Sequence, residues 1–147
     1  MPTPIVLLTR LLLFWLLGTT VLWADPGVLV VMNAASGVES LTRDQVVNIF
    51  LGRFRQLPNG MPALPIDQPA DQPLKATFYQ RLVNKQLAEI RAYWARLVFS
   101  GKTTPPRQAE TPEQVLQWLA ENPGAVAYLD TDPPSQVRIV FVLSAAP

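Results

Sequence analysis

The chain has 147 residues, 49% of them apolar and 16% charged, a composition for one globular domain and not for a disordered segment. Lys plus Arg total 12 against 11 for Asp plus Glu, and Arg10 is the only charge in the first two dozen residues. The body of the chain is therefore balanced and lacks the basic surface that nucleic acid requires. With 0 Cys and 0 His, disulfides, thiol catalysis, the usual zinc sites and His-dependent triads are all excluded.

Residues 1–24 place Arg10 ahead of an apolar run from Leu11 to Ala24, the layout of a secretory signal. That run is shorter than the ~20 apolar residues of a comfortable membrane span. Export of residues 25–147 to the periplasm or another extracytoplasmic space is the expectation, with retention as an uncleaved anchor the alternative. Val28 to Met32 is an uninterrupted apolar run that predicts a strand buried on both faces. A polar loop from Asn33 to Ser40 leads into a helix over Leu41 to Arg53. Thr42 and Gln45 have capping-box spacing there, Leu41 and Val46 a staple, and Gly52 the place of a left-handed stop.

Pro58-Asn59-Gly60 predicts a turn, followed by a short strand from Ala63 to Ile66 that Pro65 confines to an edge or an end. Asp67 to Pro73 reads as a loop, with Asp71 as the N-cap of a helix running to about Val83. Leu87 to Phe99 predicts the longest helix, with Leu87, Ile90, Trp94, Leu97 and Val98 on its apolar face. Thr103 to Ala109 is read as an extended loop, and Thr111 to Gln114 as a second capping box with Pro112 at the first helical position. After Asn122-Pro123-Gly124, the segments Ala125 to Leu129 and Val137 to Leu143 predict two final strands. The order β-α-β-α-α-α-β-β predicts a three-layer α/β/α domain on a mixed sheet of about four to five strands.

Few residues suggest chemistry. Asp67 and Asp71 share a loop and could pass for paired catalytic carboxylates, yet turn formation and capping account for both. Ser100 and Lys102 set a hydroxyl near an amine at what reads as a helix end. Tyr93, Trp94, Phe99 and Trp118 have the helical spacing of core residues before that of a stacking platform. No phosphate-cradling Gly-rich loop occurs. The generic sites are the helix starts before Thr42, Gln72 and Thr111, where backbone N–H groups and the positive helix end attract anions.

Several segments in order carry a more specific signal: VVMN, VVNIFLGR, LPNG then LPID, Phe78-Tyr79, AYW, FSGK with a Pro pair, and NPGAVAYLD. From Val28 to Asp130 the chain resembles the substrate-binding proteins of phosphate ABC transporters, within the type 2 periplasmic binding protein superfamily. The resemblance implies one lobe of that fold, a non-enzymatic role, no cofactor, no metal and a small anion such as phosphate as ligand. Where the family has an Arg and a Ser-Gly-Thr run that bind phosphate, this chain has Gln68 and Gln72-Pro73-Leu74. The expected ligand site is accordingly the loop from Asp67 to Lys75, with Gln68 and Gln72 as neutral donors, Asp71 beside them and Lys75 as the charge. The alternative expectation is an interaction module that no longer binds a solute and docks to an envelope protein or a second copy.

Overall fold

A computed structural model describes residue 25 and residues 27–145 of the chain. The signal-peptide reading of residues 1–24 lies outside the described residues. The elements are β1 (Val28–Asn33), α1 (Arg43–Phe50), β2 (Leu64–Asp67), α2 (Pro73–Val83), α3 (Leu87–Phe99), β3 (Arg107–Gln108), α4 (Pro112–Glu121), β4 (Ala125–Leu129) and β5 (Val137–Leu143). They form a mixed five-stranded sheet in the order β3-β2-β4-β1-β5. β2 runs parallel to β3 and β4, whereas β1 is antiparallel to both β4 and β5. Among the described residues no helix is long and apolar enough to cross a membrane.

The sheet is covered on both faces, and strand alternation decides what each face sees. Val28, Val30 and Met32 of β1 join Val126 and Tyr128 of β4 in a core shared with α1, α2 and α3. Leu29, Val31, Ala125, Ala127 and Leu129 turn the other way, against Val115, Trp118 and Leu119 of α4. The three-layer α/β/α arrangement follows from this division. β5 breaks the alternation: Val30 pairs with Phe141 but Val31 with Ile139, leaving Val140 as the extra residue of a bulge.

Local chemistry explains the ends of α1. The Thr42 side chain accepts from the Gln45 N–H, and the Gln45 side chain accepts in turn from the Thr42 N–H. Gly52 takes φ 72°, and a Cβ there would stand 2.7 Å from Trp94 and 2.9 Å from the Thr103 hydroxyl, so both conformation and space demand glycine. The expected turn at Pro58 to Gly60 closes through Leu57 N–H to the Met61 carbonyl.

Three expectations need correction. Asp71 does not cap α2: Gln72 holds the N-cap position, and its side chain makes no capping bond. The loop over Thr103 to Ala109 contains β3, a strand of 2 residues held by Ile66 and Asp67 of β2, too short to leave a periodic signal. β2 is consequently an interior strand, and Pro65 lies near its start, the second of the two places expected for it. It is tolerated because the Leu64 N–H bonds to Gly124 on the β4 side, which turns the missing Pro65 donor toward β3, and pairing with β3 starts only at Ile66. At the C-terminal end of α3, Val98 is 52% and Phe99 96% exposed, so neither belongs to the core.

Candidate functional site

β2, β3 and β4 run in parallel, and their carboxyl ends meet the first turn of α2 at one rim of the sheet. In open α/β sheets this rim is where ligands are held. Ile66 faces α4, so the next residue, Asp67, faces the α2 side of the sheet, and only 5% of it is exposed. There the Tyr79 hydroxyl of α2 lies 2.9 Å from both carboxylate oxygens, and the Tyr128 hydroxyl of β4 donates to Oδ1 at 2.8 Å. The Lys75 ammonium, in the first turn of α2, lies 3.6 Å from Oδ2 and also donates to Gln108 Oε1 of β3 at 3.0 Å.

Phe78 packs against both tyrosines, edge-on to Tyr79 at 5.1 Å. Phe78 stacks on Tyr128 at 3.8 Å with an interplanar angle of 5°, and Phe50 of α1 meets both Phe78 and Tyr128 edge-on. These contacts fix the rings, so the hydroxyls are presented to Asp67 without further ordering. Gln68 completes the arrangement from the backbone side. Its N–H donates to the Tyr128 hydroxyl at 3.2 Å, and its side-chain amide donates to the Tyr128 carbonyl at 2.8 Å.

Burial pushes the Asp67 carboxyl above its ordinary value, while the Lys75 charge and the two tyrosine hydroxyls pull it back. Burial and the adjacent carboxylate push both Tyr79 and Tyr128 upward, so both remain protonated donors. The result is a buried acid served by two hydroxyls and one ammonium, a closed set of partners. No cluster of acids that could hold a metal ion occurs among the described residues.

Of the residues expected at a ligand site, Gln68 and Lys75 are brought together with Asp67. Gln68 is 3% exposed and spends one of its two amide N–H donors on Tyr128, and Lys75 is shared between Asp67 and Gln108. Asp71 is exposed, and the Gln72 side chain makes no capping bond, so neither adds to the network. Sequence reasoning missed Tyr79, Tyr128 and Gln108 as partners. A signal existed: a tyrosine inside the apolar run AVAYL must bring its hydroxyl to a polar group, and Asp67 ends the neighbouring strand.

No protein-family profile matches the sequence, and no curated protein does either. Among solved structures, the fold is similar to an ABC-type phosphate transport receptor from Vibrio cholerae, with 14% identity and a TM-score of 0.60. That match covers 78% of this chain and 45% of the receptor. It is similar also to a protein from Clostridium perfringens assigned as a phosphate ABC transporter substrate-binding protein and solved with bound phosphate, at 13% identity and a TM-score of 0.61, over 78% of this chain and 44% of the other. The class defined is thus a mixed-sheet α/β fold similar to part of these two structures. The chain spans just under half the length of either neighbour, and at these identities the likeness fixes the fold alone.

Proposed function

We propose that the chain is an exported, non-catalytic binding module built on a lobe of the phosphate-receptor type, and that its rim around Asp67 does not capture free phosphate. The observation that carries this reading is Asp67. At the rim where an anion would be expected, the chain supplies its own carboxylate and commits Lys75, Tyr79 and Tyr128 to it. A phosphate drawn to Lys75 would meet the field of that acid at close range and would have to compete for the ammonium. Catalysis is not part of the reading, because the tyrosines are held protonated and Lys75 and both oxygens of Asp67 are already engaged within the network.

Calorimetric titration with inorganic phosphate tests it. No heat at millimolar phosphate is expected, and sub-millimolar affinity would overturn the proposal in favour of a solute receptor. A second reading, weak retention of a small anion by the loop carrying Gln68, Asp71, Gln72 and Lys75, draws support from the Lys75 side chain, which stays 15% exposed in the first turn of α2. Asp67→Asn separates the two. Under the second reading, removing the competing charge strengthens phosphate binding from a measurable starting value, whereas under the first the wild-type protein shows none.

A further inference from the structure

A second concave site lies at the opposite rim, where β2 and β4 begin. It is a cavity of about 590 Å³ whose lining includes Leu64 and Ala125 at the starts of those two strands. At 590 Å³ it falls within the range of small-molecule sites, which are typically ~300–1,000 Å³. Three large apolar side chains on its lining are exposed: Phe54 at 48%, Leu64 at 47% and Val98 at 52%. Such side chains on three separate segments around one cavity form an apolar wall with no partner among the described residues.

The charge of this cavity has one sign. Arg55 and Arg107 line it and no Asp or Glu does. Neither arginine is in an ion pair with a described residue. Both are nevertheless held in place. The Arg107 guanidinium sits 3.7 Å from the centre of the Trp118 ring, and Arg55 donates to the Lys102 carbonyl at 2.9 Å. A guanidinium stacked on indole keeps its edge donors free, and one anchored by a single N–H keeps four of its five. Fixed cationic forks beside an unpartnered apolar wall are complementary to a molecule with an apolar body and one anionic end.

We infer that this cavity binds a small amphipathic anion, an aromatic or aliphatic carboxylate or phosphate ester, with Arg55 and Arg107 receiving the charge and Phe54, Leu64 and Val98 covering the apolar body. This site is separate from the rim around Asp67 and does not depend on the function proposed for it. Calorimetric titration of the full chain with 2-naphthoate, and with neutral 2-naphthamide as isostere, tests the assignment. For a ligand of this size a dissociation constant on the order of 0.1 mM is expected. The amide should bind at least about tenfold more weakly, because it cannot form charge-assisted bonds to guanidinium. The double variant Arg55→Gln/Arg107→Gln should lose about tenfold for naphthoate and nothing for naphthamide, with its urea midpoint measured alongside to establish that it is folded. Equal affinity for acid and amide, full naphthoate affinity in a folded double variant, or no binding at millimolar ligand would each overturn the inference.

Discussion

Replacing the two tyrosines by phenylalanine separates the contributions to the Asp67 network, because phenylalanine keeps the ring packing and removes only the hydroxyl. Tyr79 serves one partner, the carboxylate, whereas Tyr128 serves two, donating to Asp67 and accepting from the Gln68 N–H. A hydrogen bond to a charged group contributes roughly 1.5–3 kcal/mol, and a buried donor left without a partner costs roughly 1–3 kcal/mol. Tyr79→Phe should therefore destabilise by about 2 kcal/mol and Tyr128→Phe by about 3–4 kcal/mol, since the second also strands a backbone N–H. Urea unfolding reads both as midpoint shifts at constant m. The hydroxyls also pull the Asp67 carboxyl down, so in the double variant it rises further and takes up a proton more readily. The double variant should lose less stability at low pH, where the carboxyl is protonated, than at high pH. An equal or larger cost for Tyr79→Phe, or a double-variant cost indifferent to pH, would refute the assignment of these donors to an ionised carboxylate.

Further expectations concern pH, backbone and caps. Because burial raises the Asp67 carboxyl in the folded state, its contribution to stability is complete below the unfolded value of about 3.9 and declines as pH rises through the folded value. Asp67→Asn should remove that decline in thermal melts run across pH. Asp25 contributes with the opposite sign, since its bond to Arg81 lowers its carboxyl and its stabilisation is lost as pH falls; it is present in both proteins and cancels in their difference. Lys75→Met should shift the decline to higher pH, as the Lys75 charge is the largest influence holding the carboxyl down. Gly124→Ala should be severely destabilising in urea titrations, by more than about 3 kcal/mol, because a Cβ would lie 2.2 Å from the Pro62 carbonyl oxygen. Thr42→Ala and Thr111→Ala each remove a side chain that accepts from the third helical N–H and should cost about 1 kcal/mol by the same measurement.

The elements legible from sequence were those whose signals are local. The T-x-x-Q start of α1, the Gly52 stop and the apolar run of β1 each rest on neighbours within a few residues, and the structure has them there. At Thr111 the local reading was half complete: Thr111 accepts from the Gln114 N–H, but the Gln114 side chain reaches back to Glu110 instead of Thr111. What was not legible depends on partners distant in sequence. β3 exists only because β2 supplies a parallel edge, and the bulge at Val140 only because β1 sets its register. Asp67 read as a turn residue because loop aspartates commonly are, yet its partner Tyr128 lies 61 positions away. Mutual burial of an acid and two hydroxyls is a tertiary fact, and no periodicity announces it.

The bulge has a consequence for how the protein behaves at high concentration. Open sheets expose two edges, and a regular edge is a template on which another chain can add a strand. Here one edge is β3, only 2 residues long, and the other is β5, where Val140 interrupts the ladder and Arg138 stands exposed. Neither offers a straight run of free donors and acceptors long enough to seed growth. Deleting Val140 would restore even alternation to β5 and give the sheet the smooth border that amyloid-like stacking requires. The irregularity that spoils the pattern of the last strand also keeps the sheet from propagating beyond its own chain.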